Sequence, residues 1–296
     1  MIISIVGPTG VGKSSLALEV AKKVGGEIVN SDAFQIYKYM DIGTAKPSLD
    51  ERSQVKHHLF DYVEPDYPFS IYDYQVALRK KIEELESKNI PIILVGGTGL
   101  YLKSALYDFN LSYEEKKIDM SKYDNYTNQE LHKVLEEMDY EESQKIHFNN
   151  RKRVLRAIEI YLTQGKKKSD IVKEQEHKLL YDVTIVGLTK EREELYDLIN
   201  KRVDLMFEQG LMNEVTTLMN RYDHSIHAFQ AIGYKEIIEG IKLNQSEEQI
   251  KELIKRNSRR YAKRQFTYFN HQLDVNWFDD KQKALEFILS KFQEKE

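Results

Sequence analysis

Eight residues near the start of the chain, Gly7-Pro8-Thr9-Gly10-Val11-Gly12-Lys13-Ser14, have the types and spacing of a phosphate-binding loop. Glycines let backbone N–H groups turn inward around an anion, and the positive end of a following helix strengthens the field there. Lys13 would add a point charge, and the Ser14 hydroxyl would ligate Mg²⁺ or a phosphate oxygen. The motif is shared with nucleotide-binding, ATP-binding enzymes, so alone it selects a superfamily and says that a di- or triphosphate is held. A second group with chemical potential is Asp32, a carboxylate able to deprotonate or orient an acceptor. The alternative for Asp32 is an Asx-turn that starts the next segment. A second glycine-rich turn, Gly96-Gly97-Thr98-Gly99, follows an apolar run.

The elements that must position these groups can be read from periodicity. Ile2 to Val6 is a continuous apolar run, and Leu16, Leu18, Val20, Ala21 and Val24 follow at helical spacing, so the loop joins a strand to a helix. Glu27-Ile28-Val29-Asn30 reads as a short second strand leading into Ser31-Asp32. Ile71, Tyr74, Leu78, Ile82 and Leu85 predict a helix, and Ile92 to Val95 a strand buried on both faces. Alternating strands and helices imply an α/β fold with a doubly wound parallel sheet, a P-loop core flanked by helices. Ligands of such sheets sit beyond the carboxyl ends of the strands, where all three turns would meet.

The chain has 296 residues, 41% of them hydrophobic and 31% charged, with net charge −4. No apolar run approaches the length that crosses a bilayer, and the N-terminus lacks the pattern of a signal peptide. Cysteine is absent, which excludes disulfides, thiolate nucleophiles and Cys-based zinc sites. A cytoplasmic enzyme is expected, with no membrane partner. Residues 113–142 are acidic, whereas 151–168 and 251–264 are strongly basic, a distribution compatible with an anionic partner or with solvated helix faces. Arg256, Arg259, Arg260, Lys263 and Arg264 recur at helical spacing, with Tyr261, Phe266, Tyr268 and Phe269 interleaved. Phosphate contacts with aromatic stacking would suit a single-stranded RNA loop, although the aromatics could equally point to the core. Lys166-Lys167-Lys168 reads as a solvated loop, and the adjacent His57 and His58 as structural, since neighbours on a strand point in opposite directions.

Between residues 109 and 146 the pattern turns polar, acidic and tyrosine-rich, with one helix expected around 129–138. This stretch is expected to be a small, mainly helical insert, leaving 1–108 and 147–296 as the core. A further strand is expected at 183–187, and a late one at 275–278 precedes a closing helix.

The ordered set Ser31-Asp32-Ala33-Phe34-Gln35-Ile36-Tyr37, Asp41-Ile42-Gly43-Thr44-Ala45-Lys46-Pro47, His57-His58-Leu59-Phe60-Asp61 and Gly96 to Tyr101 resembles the tRNA dimethylallyltransferases, also called tRNA isopentenylpyrophosphate transferases. Matches continue at Arg153, Arg156, Ala157 and Glu159, at Arg202 to Met206, at Gln230 to Lys235 and at Lys263 to Thr267, so they run along nearly the whole chain. The resemblance implies transfer of a dimethylallyl group from dimethylallyl diphosphate to N6 of adenosine 37 beside the tRNA anticodon. The P-loop would then hold a leaving group, with Thr9 to Ser14 and Arg202 on the pyrophosphate and Mg²⁺ as cofactor. By the same resemblance Asp32 is the base and Thr98 touches the same nucleotide, while Asp32, Ala33, Phe34 and Gln35 hold the target base. The tRNA-contacting segments correspond to 152–156, with Lys152, Arg153 and Arg156, to 225–230, with Gln230, and to 263–270, with Lys263 and Arg264.

Against the family pattern the insert is short, and an arginine that opens a longer lobe in many relatives has no counterpart unless Lys116 or Lys117 replaces it. Gln230 and Lys235 stand where some relatives have arginine. Two rival readings make distinct predictions. A small-molecule kinase would use Asp32 as acceptor base with ATP in the loop, and would have no use for the basic stripe. A nucleotide-regulated RNA-binding protein would need the stripe and not Asp32. The prenyltransferase reading is preferred, with tRNA and dimethylallyl diphosphate as partners, nucleotide binding secondary, and a monomer as the working unit.

Overall fold

The computed structural model describes residues 1–109, 111 and 118–294. Lys116 and Lys117 lie outside the described residues. Two compact units are present, one of Met1–Leu106 with Tyr181–Glu296 and one of Tyr107–Leu180.

The first unit is built on six parallel strands, β1 (Ile2–Val6), β2 (Glu27–Asn30), β3 (His57–His58), β4 (Ile92–Val95), β5 (Val183–Leu188) and β6 (Asn276–Phe278), in the order β3-β2-β4-β1-β5-β6. Every residue of β1 and β4 is buried, as their continuous apolar sequences require of strands covered on both faces. Ile2 pairs with Ile92 on one side and Val183 on the other, so β1 is central, and the loop that follows it opens at the middle of the sheet's carboxyl edge. The helices of this unit are α1 (Lys13–Val24), α2 (Leu49–Gln54), α3 (Ile71–Glu86) and α4 (Gly99–Leu106).

In the second unit follow α5 (Asn128–Met138), α6 (Tyr140–Ser143), α7 (Arg151–Gln164) and α8 (Lys168–Lys173). The first unit then resumes with α9 (Arg192–Glu208), α10 (Leu211–Met219), α11 (Tyr234–Lys242), α12 (Glu247–Gln272) and α13 (Lys281–Gln293). Helix α1 buries Leu16, Ala17, Val20 and Ala21 on one stripe against Ile3, Ile5 and Ile28 of the sheet. Full burial of one such leucine stabilises by about 1.5–3 kcal/mol. Ser70 and Asp73 form a capping box that starts α3, and Ser246 with Gln249 does the same for the 26-residue α12.

The second unit is larger than the insert expected from composition, which ended at residue 146. Leu131 and Leu135 of α5 form a core with Val154, Ala157 and Ile158 of α7, so α7 belongs to this unit despite its basic outer face. The charge switch at Arg151 marks a change of surface and leaves the packing continuous. Helix α8 joins through Ser169, whose N–H and hydroxyl both donate to the buried Asp139 carboxylate at 2.8 and 2.6 Å. Lys168, expected in a solvated loop, instead opens α8 and pairs with Glu142 at 2.5 Å. Among the described residues no helix is long and apolar enough to cross a membrane.

Candidate active site

The P-loop leaves β1 in a conformation that glycine alone adopts without strain. Gly7 has φ 138°, and a Cβ there would lie 2.4 Å from the Leu188 carbonyl oxygen of β5. Gly10 and Gly12 also have positive φ, at 84° and 101°, and Gly12 precedes the first residue of α1. Val11 is buried in the main core and anchors the loop, while Thr9, Lys13 and Ser14 line a cavity of about 270 Å³. Pro8 presents its carbonyl to the Lys13 ammonium, which donates to it at 2.8 Å.

Asp32 enters the same cavity from the end of β2. Asn30 sets its path, accepting from the Asp32 N–H at 2.8 Å and donating to the carbonyls of Asp32 and Leu59 at 3.0 Å. One Asp32 carboxylate oxygen accepts the Phe34 N–H at 3.0 Å, and the other faces Gly97. The Asx-turn and the site carboxylate are therefore the same group in two capacities. Thr98, in the turn between β4 and α4, accepts the Ala33 N–H at 3.0 Å, fixing the strip Ala33-Phe34-Gln35 against the second glycine turn. Gln35 donates to the carbonyls of Thr44 and Ala45, at 2.9 and 3.2 Å. That loop is itself held by Glu214 of α10, whose carboxylate accepts the N–H groups of Asp41, Ile42 and Gly43 at 2.8–3.0 Å and the Tyr234 hydroxyl at 2.5 Å. Phe34 stacks against His227 with ring centroids 5.9 Å apart.

Arg202 reaches the cavity from α9, where Ile199, Arg202, Val203 and Met206 share one face and all line the wall. Burial lowers the pKa of the Arg202 guanidinium and Asp32 raises it. Burial and then Arg202 push Lys13 down to about 7, partly opposed by Asp32. The cavity thus joins a cationic phosphate loop, a carboxylate and an apolar wall of Ile199, Val203, Met206 and Ile254.

Helix α12 closes the site with Ile254, Ser258, Tyr261 and Gln265, spaced at four, three and four residues on one face. The sequence offers Tyr261 as an interleaved aromatic and Gln265 only as part of the 263–270 segment, whereas both line this cavity. The narrow inward stripe is masked by the lysines and arginines around it. Burial raises the Tyr261 phenol well above its ordinary range. Arg256, Arg260, Lys263 and Arg264 are exposed, and Arg264 also borders the cavity, 5.6 Å from the Tyr261 ring. Arg259 departs from the stripe, donating to Asn200 at 2.5 Å. The interleaved aromatics divide: Phe269 is buried, Phe266 packs on Trp277, and Tyr261 faces the site.

Gln230 lies at the cavity rim. Lys152, Arg153 and Arg156 stand on the exposed side of α7 in the second unit, with Arg156 paired to Glu159 at 2.7 Å. His57 and His58 are engaged structurally, with His57 Nδ1 2.7 Å from the Val55 carbonyl and His58 Nε2 2.6 Å from Glu27. Among the described residues no cluster of three or more His, Asp or Glu could hold a metal ion. A Mg²⁺ here would depend on the Ser14 hydroxyl, diphosphate oxygens and water, a donor set that suits this hard cation.

Residues 35–272 match the family model described as IPP transferase. The chain is 44% identical over 295 residues to a tRNA dimethylallyltransferase of Bacillus anthracis, covering 96% of this chain and 93% of the relative. A tRNA dimethylallyltransferase of Bacillus cereus strain AH187 is likewise 44% identical over 305 residues, covering 98% and 95%. Among solved structures, a tRNA delta(2)-isopentenylpyrophosphate transferase of Staphylococcus epidermidis superposes with TM-score 0.74 at 39% identity, covering 100% of this chain and 99% of that one. A eukaryotic dimethylallyltransferase acting on tRNA gives TM-score 0.84 at 28% identity, covering 98% and 79%.

Proposed function

The chain belongs to the IPP transferase family, and from that premise we propose that it transfers a dimethylallyl group from dimethylallyl diphosphate to N6 of adenosine 37 of tRNA. The observation that carries this reading is one cavity holding a phosphate loop, a half-buried arginine, a carboxylate and an apolar wall side by side.

The chemistry follows from where charge must develop. The allylic C–O bond breaks, its electron pair leaves on the diphosphate, and the C–N6 bond forms. Lys13 and Arg202 line the cavity, and with N–H groups of the loop they would stabilise the departing anion. A Mg²⁺ held by Ser14 would neutralise part of the diphosphate charge. Ile199, Val203, Met206 and Ile254 would enclose the prenyl tail and exclude water from the allylic carbon. The adenine amine is a weak nucleophile because its lone pair is delocalised, so removal of its proton by the Asp32 carboxylate lowers the barrier. Thr98 and Gln35 would orient the base, which must leave the anticodon-loop stack to enter. Gln230, Lys263 and Arg264, with Lys152, Arg153 and Arg156 of the second unit, are assigned to the tRNA, and the protein to the cytoplasm as a monomer.

Incubation with unmodified tRNA, Mg²⁺ and labelled dimethylallyl diphosphate, followed by nucleoside mass spectrometry, tests the reading. Label on N6 of an anticodon-loop adenosine is expected. Absence of transfer with folded protein and several tRNAs would overturn it.

A further inference from the structure

The donor and acceptor halves of the cavity belong to different loops, and one side chain spans them. The Gln265 oxygen accepts the Thr9 N–H of the P-loop at 2.9 Å, and its amide nitrogen donates to the Gly97 carbonyl beside Thr98 at 2.9 Å. Gln265 is 5% exposed, so both bonds lie in surroundings where leaving either partner unmade costs about 1–3 kcal/mol. A planar amide donates at one end and accepts at the other, which a carboxylate or a hydrocarbon of the same length cannot do.

The second glycine turn is shaped to this amide. A Cβ on Gly97 would fall 2.2 Å from the Gln265 nitrogen and 3.5 Å from an Asp32 carboxylate oxygen. A Cβ on Gly99 would fall 2.3 Å from the Tyr268 ring, one turn further along α12. Gly97 and Gly99 therefore record the close approach of α12, with Gln265 pressed against the turn next to Asp32. One turn earlier on the helix, Tyr261 lines the same cavity.

We propose that Gln265 is a positioning residue that fixes the spacing between the diphosphate loop and the turn that presents the acceptor base. The inference rests on the transferase function proposed above. Displacement at the allylic carbon requires the attacking nitrogen about 3–3.5 Å away and in line, and a misplacement of about 1 Å can cost about 100-fold in rate. Each loop keeps its own contacts to its own substrate without Gln265. What is lost is their mutual registration.

The experiment is single-turnover transfer at saturating dimethylallyl diphosphate and anticodon stem-loop RNA, run on wild-type protein, Gln265→Met and Gln265→Glu. It is accompanied by equilibrium binding of inorganic pyrophosphate and of the RNA, each alone, and by thermal melting. Gln265→Met is expected to lose about 100-fold in the transfer rate while both separate affinities stay near wild type. Gln265→Glu keeps an acceptor for Thr9 and cannot donate to Gly97, so it should also lose transfer, and its near-identical size carries the test if the Met variant does not fold. Gly97→Ala, whose methyl group falls on the amide, should reproduce the loss, and the double variant with Gln265→Met should be no slower than the slower single variant. A wild-type rate in either Gln265 variant, or a loss explained wholly by weaker binding, would overturn the proposal. Failure of wild-type protein to transfer would remove the transferase reading and this inference with it.

Discussion

Lys13 and Arg202 face one cavity from different helices, two half-buried cations whose repulsion adds to desolvation in depressing the lysine. Such a pair is poorly stable until an anion arrives between them. With its free-state pKa at about 7, Lys13 is substantially neutral just above that pH, and a bound diphosphate draws a proton back onto it. The complex then binds more protons than the free protein, so affinity must fall as pH rises through 7. Calorimetry of pyrophosphate binding at pH 8 in buffers of different ionisation enthalpy should show proton uptake, after correction for pyrophosphate's own ionisation. Lys13→Met should abolish that uptake. In the free protein the same group disfavours folding most below pH 7, where it must be charged. Its contribution to stability therefore improves between about 7 and the unfolded value of 10.5.

Replacement of Asp32 separates chemistry from binding. Asp32→Ala is expected to reduce transfer by about 10²–10⁴-fold, the ordinary size of a general-base contribution, while pyrophosphate and tRNA still bind. Pre-steady-state transfer and filter binding measured on the same preparation check both halves. Unchanged transfer would remove Asp32 from the mechanism.

Glu214 supports the acceptor strip from outside the cavity. Its carboxylate receives three backbone N–H groups and the Tyr234 hydroxyl, and the loop it holds carries the two carbonyls that orient Gln35. Glu214→Ala should destabilise the protein by about 3 kcal/mol, since bonds to an ionised group contribute about 1.5–3 kcal/mol each and losses within one network overlap. Urea unfolding measures this. At a temperature where the variant is folded, KM for tRNA should rise more than kcat falls.

The outer face of α12 supplies a test of charge. Arg256, Arg260 and Lys263 are exposed, whereas Arg259 is held by Asn200. Replacing the first three with Glu should weaken tRNA binding and flatten the dependence of log K on log salt by about one unit per removed phosphate contact. Arg259→Ala should instead act mainly on stability. Salt titrations of tRNA binding distinguish the two classes, and an unaltered slope in the triple variant would assign the stripe to solvent.

The parts of this architecture that were legible in the sequence are those encoded locally. The P-loop, the Asp32 turn and the Gly96–Gly99 turn each sit in a few consecutive residues after an apolar run, and the buried strands show as unbroken apolar stretches. Arg202 does not stand out from its own surroundings, because an arginine on an amphipathic helix reads first as a surface charge. Only the family resemblance points to it as a site residue. Gln265 escaped notice as a bridge because its partners are 168 and 256 residues away and its own helix reads as basic. The spacing of Ile254, Ser258, Tyr261 and Gln265 was the available signal. The boundary at 146 failed for a related reason: composition reports what a helix shows to water, while Val154, Ala157 and Ile158 determine where α7 packs.

The inserted unit begins and ends at a clasp. Tyr107 and Leu179 form an antiparallel bridge, the Asp108 N–H donates to the Lys178 carbonyl at 3.0 Å, and the Asp108 carboxylate accepts the N–H groups of Glu176 and Lys178. A segment whose two ends are tied together can gain or lose residues between them while its points of attachment stay put, and doubling its length adds only about 0.6 kcal/mol of closure entropy. The lobe is in that sense an exchangeable cassette, free to be rebuilt while the sheet keeps its register.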